Sequence, residues 1–327
     1  MKKLVALILF LSLISVSLFS CGTTDDTQMR LGYMAGPTGM GMAKLIHDNG
    51  GAASGNEKYS FEKYTDTKLA QAALTAGLID AICVPTNEAA QYYIAEDQNT
   101  VVLAINTLST LFVLTDKNTT VNSFDDLNGK TVYTCKNGTP KIILESLIAI
   151  SGLDIIVSTT VDGKEIASPA QLGEQVVAGK IEIAVVPEPI VTSSLLAIAK
   201  NGNKDIEYSV DLNLGDVWQT KAGGALAMGC IVASADFVSN HPSIVKAFLV
   251  EYKASIEFIN NQDNLDLAAE YVVEAGVMQA VPVAKTAIKN LNGAIVYIDG
   301  KDMKNTLTGF YNAIGQALPD NGFYYEK

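Results

Sequence analysis

Histidine and cysteine are scarce in this chain of 327 residues, which contains 2 histidines and 4 cysteines. His47 and His241 are far apart in the sequence, and no two cysteines form a Cys-x-x-Cys pair. A zinc site needs clustered ligands, and a disulfide framework needs paired cysteines. The sequence therefore predicts neither a metal site nor a disulfide scaffold. We expect Cys83 and Cys230, which lie in apolar runs, to be buried thiols that pack as small hydrophobic groups.

The chain also lacks a positive net charge. Its 23 lysines and arginines are outnumbered by 35 aspartates and glutamates, so the formal net charge is -12. An acidic surface repels nucleic acid and anionic lipid headgroups, which argues against both as partners. The hydrophobic fraction of 48% is enough to build the core of one large domain or two medium domains.

A catalytic motif is missing as well. No nucleophile and base occur in a recognisable arrangement. The glycine-rich stretch "AGPTGMGM" at residues 35–42 is not followed by the Gly-Lys-Ser/Thr of a Walker loop. Its spacing also differs from that of a dinucleotide-binding fingerprint. We therefore predict that the protein is not an enzyme and carries no cofactor.

The N-terminus has the pattern of a secretory signal. Two lysines precede an apolar stretch at residues 4–19, which is shorter than the ~20 residues of a transmembrane helix. The Leu-Phe-Ser-Cys that follows resembles the bacterial lipobox, and this resemblance implies that Cys21 becomes the mature N-terminus and carries lipid. Residues 1–20 are then the signal peptide, and residues 21–28 are a tether. An ordinary cleaved signal and an uncleaved anchor are the alternatives.

One sequence pattern occurs twice at a fixed distance. The segment "GLIDAICVP" runs from Gly77 to Pro85, and "GKIEIAVVP" runs from Gly179 to Pro187. Both ends are offset by 102 residues (179 − 77 and 187 − 85). Each copy has the composition of a buried strand that ends at a proline, which cannot continue a strand ladder. Self-similarity at a constant offset indicates an internal repeat.

The segments before each strand repeat too. Residues 65–77 and 168–179 have the apolar spacing of short helices that end at glycine. Further upstream, residues 29–46 and 129–148 each predict a strand, a loop with Gly, Pro and Thr, and a helix. A two-residue insertion in the second loop aligns the copies. Strands that alternate with helices predict an α/β fold with parallel sheets.

We therefore predict two α/β lobes joined by two hinge crossings. Residues 29–108 and 226–327 form lobe one, and residues 109–225 form lobe two. The apolar runs within residues 101–130 and 223–234 are the expected crossing strands. The C-terminal tail is predicted to be helical and to pack on lobe one. Ligands of such sheets bind beyond the carboxyl ends of the strands, so both Val-Pro turns are expected to face one cleft.

These features together resemble a known family. The lipobox, the glycine loop after the first strand, "FDDLNGKTVY" at residues 124–133 and "VVPEPIV" at residues 185–191 resemble ABC-importer solute-binding proteins of the nitrate/sulfonate/taurine type, which includes thiamine-precursor binders. The resemblance covers essentially the whole mature chain, and residues 125–130 are its strongest part. It implies a two-lobed type II periplasmic-binding-protein fold.

The same resemblance implies the partners and the location. A small-molecule ligand, an ABC permease with its ATPase, and a monomeric state are expected, with membrane contact through the N-terminal lipid only. The location is then the cell envelope, either lipid-anchored on the outer face of the bacterial cytoplasmic membrane or periplasmic. Two alternatives are an enzyme on the same two-lobed fold and a ligand-sensing lipoprotein that signals to a receptor.

The candidate ligand-binding residues come from the loops at the predicted strand ends. Backbone N–H groups at two opposed helix starts would suit a small anionic head group. A carboxylate and aromatic rings would instead suit a planar ligand with an amine or ring N–H, and each of these residues also has an ordinary structural role available, as a turn, a cap or a core side chain. The candidates are Tyr33, Gly36, Pro37, Thr38, Gly39, Thr86, Asn87, Ser109, Thr110, Asn137, Gly138, Thr139, Glu188 and Trp218.

Overall fold

The computed structural model describes residues 25–95 and 99–326. The predicted signal peptide, the first part of the tether and the lipidation site Cys21 lie outside the described residues. The strands are β1 Met29–Met34, β2 Tyr59–Tyr64, β3 Ala81–Pro85, β4 Thr100–Thr107, β5 Leu111–Asp116, β6 Thr131–Tyr133, β7 Ile156–Ser158, β8 Thr160–Val161, β9 Lys164–Glu165, β10 Ile183–Pro187, β11 Tyr208–Asn213, β12 Gly229–Ser234 and β13 Ile295–Ile298.

Helices connect most of these strands. They are α1 Pro37–Met40, α2 Ala43–Asp48, α3 Thr67–Thr75, α4 Thr86–Ala95, α5 Thr139–Ser151, α6 Pro169–Val177, α7 Ile190–Asn201, α8 Leu214–Ala222, α9 Ala235–Asn240, α10 Pro242–Asn260, α11 Leu265–Glu274, α12 Val281–Asn290 and α13 Gly300–Ala313. In the part of the chain that the structure describes, no helix has both the length and the apolar character that crossing a membrane requires.

The described strands form two main sheets, as the α/β prediction requires. The first has the order β13-β4-β12-β3-β1-β2, and the second has the order β11-β5-β10-β6-β7, beside a small β8-β9 hairpin. In both sheets the repeated strands pair in parallel, and one antiparallel strand lies next to the Val-Pro strand. The fold is therefore α/β with two sheets, and the second is drawn entirely from the middle of the chain.

The internal repeat predicted from the sequence is present in the structure. Helices α3 and α6 begin and end at the same 102-residue offset (169 − 67 and 177 − 75). The glycines that follow them, Gly77 and Gly179, have φ angles of 65° and 67°, which only glycine adopts without strain. Side chains of Asp66 and Ser168 cap the two helices at equivalent positions.

Two crossings connect the sheets. The chain passes from β4 to β5 through residues 108–110, and it returns from α8 to β12 through residues 223–228. The buried apolar side chains of the described residues form three clusters. The first cluster continues from one lobe into the other, whereas the second belongs to lobe one and the third to lobe two. The lobes therefore share a core on one face of their sheets and have separate cores on the opposite face.

The C-terminal tail differs from the prediction in one element. The sequence analysis expected only helices there, and α10 to α13 are found. The short run Ile295–Ile298 instead forms β13, which pairs antiparallel with β4 at the edge of the first sheet. Four residues are too few to establish a helical period, and Ile, Val and Tyr favour strands. The tail nevertheless packs on lobe one, because α10, α11 and α12 contribute to its separate core.

The three cysteines of the folded part are free and fully buried, as predicted for Cys83 and Cys230. Burial raises the pKa of the Cys83 thiol to about 12, and it also raises the pKa values of Cys135 and Cys230. Because the thiolate is the reactive form, we expect these three thiols not to react with Ellman's reagent at pH 8 until the protein is unfolded. Rapid labelling of the native protein beyond the single remaining cysteine, Cys21, would contradict the buried placement.

Candidate functional site

The candidate site lies where the Val-Pro strands meet the crossings. Pro85 at the end of β3 is opposite Gly229, the first residue of β12, and Pro187 at the end of β10 is opposite Leu111, the first residue of β5. Each proline therefore lies beside the point where the chain enters that sheet from the other lobe. Both strand ends face the junction of the lobes, which is where a ligand of this architecture would bind.

The loop of lobe one starts helix α1 with an unusual glycine. Gly36 is the N-cap, has a φ of 83°, and donates its backbone N–H to the Val277 carbonyl at 3.0 Å. The Thr38 carbonyl accepts from Asn106 Nδ2 at 3.2 Å, and the Pro37 carbonyl accepts from Thr107 Oγ1 at 3.5 Å. Side chains at the end of β4 thus fix the position of this loop.

Gly39 lies in the same loop and is buried. Asn106 is also buried, and its Nδ2 donates to the hydroxyl of Tyr252 at 3.0 Å. Burial raises the pKa of Tyr252 well above its usual value, so this hydroxyl remains neutral. Asn106 is not among the candidates predicted from the sequence, although it is a polar residue at the end of the apolar run of β4.

The loop of lobe two repeats this arrangement. Gly138 is the N-cap of α5 with a φ of 96°, at the expected offset from Gly36 (138 − 36 = 102). Gly138 supplies no capping side chain to α5, and Pro140 has no N–H, so the N–H groups of Thr139 and Lys141 are the first-turn donors without a side-chain cap. Asn137 is exposed and Thr139 is buried. Lys136, a possible counter-charge for an anion, is paired with Glu165 at 2.6 Å.

The loop of lobe two meets the turn after β3 through a hydrogen bond between the lobes. Thr139 Oγ1 at the start of α5 donates to Asn87 Oδ1 in the first turn of α4 at 3.0 Å. The C-terminal segment holds the start of α4, because Tyr311 donates to the Thr86 carbonyl at 3.1 Å and Gln316 donates to the Asn87 carbonyl at 2.9 Å. Thr86 and Asn87 are buried. The structure thus places predicted residues of both lobes in direct contact.

Two further candidates lie in the first crossing. Ser109 Oγ donates to Asn213 Oδ1 at 3.0 Å, and Asn213 also caps helix α8. The Thr110 carbonyl accepts from the backbone N–H of Glu188 at 2.9 Å, and Thr110 is 5% exposed. Both residues therefore hold the crossing against the second sheet, close to the Val-Pro end of β10.

Glu188 follows Pro187 and makes a further hydrogen bond between the lobes. Its carboxylate is 2% exposed, and Oε1 accepts from Thr192 Oγ1 at 2.9 Å and from Asn290 Nδ2 at 2.7 Å. Oε2 accepts from the backbone N–H of Thr192 at 3.2 Å. Asn290 is the last residue of α12 in lobe one, and no sequence signal pointed to it. The candidate carboxylate is therefore buried and bonded to protein groups of both lobes.

The aromatic candidates lie in the core and not at the cleft surface. Tyr33 is 1% exposed and donates its hydroxyl to the Ala275 carbonyl at 2.8 Å. Trp218 is 1% exposed, and its ring centroid lies 5.8 Å from that of Phe310. Both rings follow an apolar pattern that buries them on the inner face of their elements, so stacking on a ligand is not supported by their positions.

Neither histidine belongs to the site. His47 stacks on Tyr271 and lies 2.9 Å from Glu274, while His241 lies 2.8 Å from Asp25. Within residues 25–95 and 99–326, no group of three or more His, Cys, Asp or Glu side chains is placed to hold a metal ion. A surface groove of about 1130 Å³ is found away from the junction, on lobe one, between the tether residues 25–28 and α10.

A comparison with protein families identifies one match. The family described as "NMT1/THI5 like" matches residues 98–264, which is about half of the chain. The matched segment contains the first crossing, the whole second sheet and the return to lobe one. Among curated proteins, no sequence matches the chain.

Solved structures with the same fold include transport components. An ABC transporter protein from Parabacteroides distasonis has a TM-score of 0.72 and 19% identity, covering 92% of this chain and 100% of its own. The periplasmic aliphatic sulphonate binding protein SsuA from Escherichia coli has a TM-score of 0.67 and 15% identity, covering 92% of both chains. The periplasmic nitrate-binding protein NrtA from Synechocystis has a TM-score of 0.60 and 14% identity, covering 88% of this chain and 81% of its own.

Proposed function

Because this chain belongs to the NMT1/THI5-like family, we propose that it is an extracytoplasmic solute-binding protein that delivers a small molecule to an ABC importer. The observation that carries the proposal is the contact between Asn87 and Thr139, which joins the turn after the Val-Pro strand β3 in lobe one to the loop after β6 in lobe two. A small solute between these loops would be held by groups from both lobes. Its contacts would then favour the closed conformation.

The lobes defined from the sequence, residues 29–108 with 226–327 and residues 109–225, are the proposed moving units. The partners are proposed to be a membrane permease and its ATPase, which recognise the closed protein. Lipid attachment at Cys21 would keep the protein, as a monomer, at the outer face of the cytoplasmic membrane. Solved structures with the same fold include periplasmic sulphonate- and nitrate-binding proteins, which supports an extracytoplasmic site of action.

Two ligand classes suit the site. Open N–H groups at the start of α5 favour a small anionic head group, such as a sulfonate or nitrate-like anion. The carboxylate of Glu188, which is bonded to Thr192 and Asn290 in this structure, favours the second class, because an amine or ring N–H of a pyrimidine or a thiamine precursor would replace Asn290 as its donor. Binding rather than catalysis is proposed because the site, as described above, brings together amides, hydroxyls and one carboxylate without a nucleophile activated by a base.

A thermal-shift screen tests the proposed function. Ligand that binds the native state alone stabilises it by about 2.7 kcal/mol at 100 times its Kd, so a true ligand should raise the melting temperature by several degrees. The screen should include sulfonates, nitrate-like anions, pyrimidines, thiamine precursors and aromatic acids. Each hit should be repeated on Asn87→Ala with Thr139→Ala, and on the exposed control Asn292→Ala.

The outcomes of the screen separate the alternatives. A hit that stabilises the control and wild type equally, but the double variant much less, supports binding between the lobes. A hit that is chemically converted on incubation would instead support an enzyme on this fold. Equal stabilisation of all three proteins would place binding elsewhere and contradict the proposed site.

A further inference from the structure

The contact between Glu188 and Asn290 differs in its surroundings from the Asn87–Thr139 contact between the lobes. The Asn87–Thr139 contact joins α4 to α5, and both helices contribute to the core that the lobes share. The Glu188–Asn290 contact joins the start of α7 to the end of α12. Those helices belong to separate cores, one in each lobe. The lobes can therefore part beside Glu188 without disrupting a common core.

The hydrogen bond itself is short and lies at a buried carboxyl group. Its donor and acceptor are 2.7 Å apart, and Asn290 Nδ2 also lies 3.1 Å from Thr192 Oγ1, so the amide is held by two groups of lobe two. No salt bridge to Glu188 is found among the described residues. If Asn290 moved away, the carboxylate would keep only its two bonds to Thr192 and would need water as a further donor.

We infer that the Glu188–Asn290 hydrogen bond is a latch that favours the closed arrangement of the lobes before any ligand binds. The inference rests on the proposed function, since closure has a role only in a protein that holds a solute between its lobes. Under this inference, the turn after each Val-Pro strand contacts the opposite lobe on a different face of the sheets. The first turn contacts the opposite lobe on the shared-core face, and the second fastens the lobes on the face that can open.

Distances between spin labels on the two lobes test the latch without a ligand. Glu174 on α6 and Glu270 on α11 are exposed, lie one on each lobe, and can be replaced by cysteine for labelling. The full chain should carry Cys21→Ser so that only the two introduced thiols react. Double electron–electron resonance then gives the distribution of interlobe distances in the ligand-free protein.

Two substitutions at one position give graded results. Asn290→Ala removes the donor and should move part of the distance distribution to longer values. Asn290→Asp places a second carboxylate against Glu188, so the open-to-closed ratio should rise about tenfold. Asn292→Ala changes an exposed asparagine two residues away and should leave the distribution of the parent protein unchanged.

The two hypotheses fail separately in this design. Unchanged distances in both Asn290 variants would overturn the latch while leaving solute binding open to the thermal-shift screen. Absence of any stabilising solute would count against the proposed function but would not alter the distance measurement. Should Asn290→Asp lose its circular dichroism signal, Asn290→Ala alone decides, since it introduces no charge.

Discussion

Trp218→Ala is expected to lower the free energy of unfolding by about 3–5 kcal/mol. The indole is 1% exposed, and its ring centroid lies 5.8 Å from that of Phe310. Trp218 belongs to α8, whereas Phe310 belongs to α13 in the C-terminal tail, so truncation leaves a cavity in the core that both lobes share. Urea unfolding followed by circular dichroism measures the loss, because the substitution removes the only tryptophan of the chain.

A matched control separates the effect of burial from that of losing apolar surface. Val250 on α10 is 66% exposed, and Val250→Ala should change the free energy of unfolding by less than about 0.5 kcal/mol. One other result would support the sequence-based prediction that Trp218 contacts the ligand. If its truncation cost less than about 1 kcal/mol and weakened binding of a solute found by the screen, the indole would belong to the ligand site.

The repeat is the part of this fold that the sequence predicts best. Its evidence is local: a glycine that ends a helix, a strand of apolar residues and a proline recur at one offset. Such signals depend on backbone conformation and on neighbours a few residues away, so they can be recognised in the sequence without knowledge of the tertiary structure. The two cap glycines, Gly36 and Gly138, follow the same offset because their backbones adopt nearly the same conformation.

The partners of the site residues could not be predicted in the same way. Asn290 lies 102 residues from Glu188 in sequence, and it contacts the carboxylate only because α12 returns from the tail to the edge of the cleft. Tyr33 illustrates the opposite case. Its position on the first strand suggested the cleft, but β1 is covered on both faces of its sheet, so Tyr33 is buried in the separate core of lobe one.

Gly39→Ala is expected to lower the free energy of unfolding by about 3 kcal/mol and to weaken solute binding at least tenfold. A β-carbon on Gly39 would fall well inside contact distance of the Met34 carbonyl oxygen, which is backbone of β1 and cannot rotate away. The loop must therefore shift. Its carbonyls at Pro37 and Thr38 would then lose their positions against the end of β4. Urea unfolding and titration with a solute from the screen measure the two effects.

Two other glycines serve as controls for Gly39. Gly309 lies inside α13 with no atom within 4 Å of an added β-carbon, so Gly309→Ala should be neutral or stabilise by up to ~1 kcal/mol. Gly36 also has free space, but its φ of 83° and ψ of -166° lie in a region that only glycine adopts readily, so Gly36→Ala should cost about 1–3 kcal/mol through backbone strain alone. Gly39→Ala and Gly309→Ala could instead have the same free energy of unfolding and the same affinity for the solute. That result would contradict the conclusion that the close approach of Gly39 to β1 determines the structure of the site.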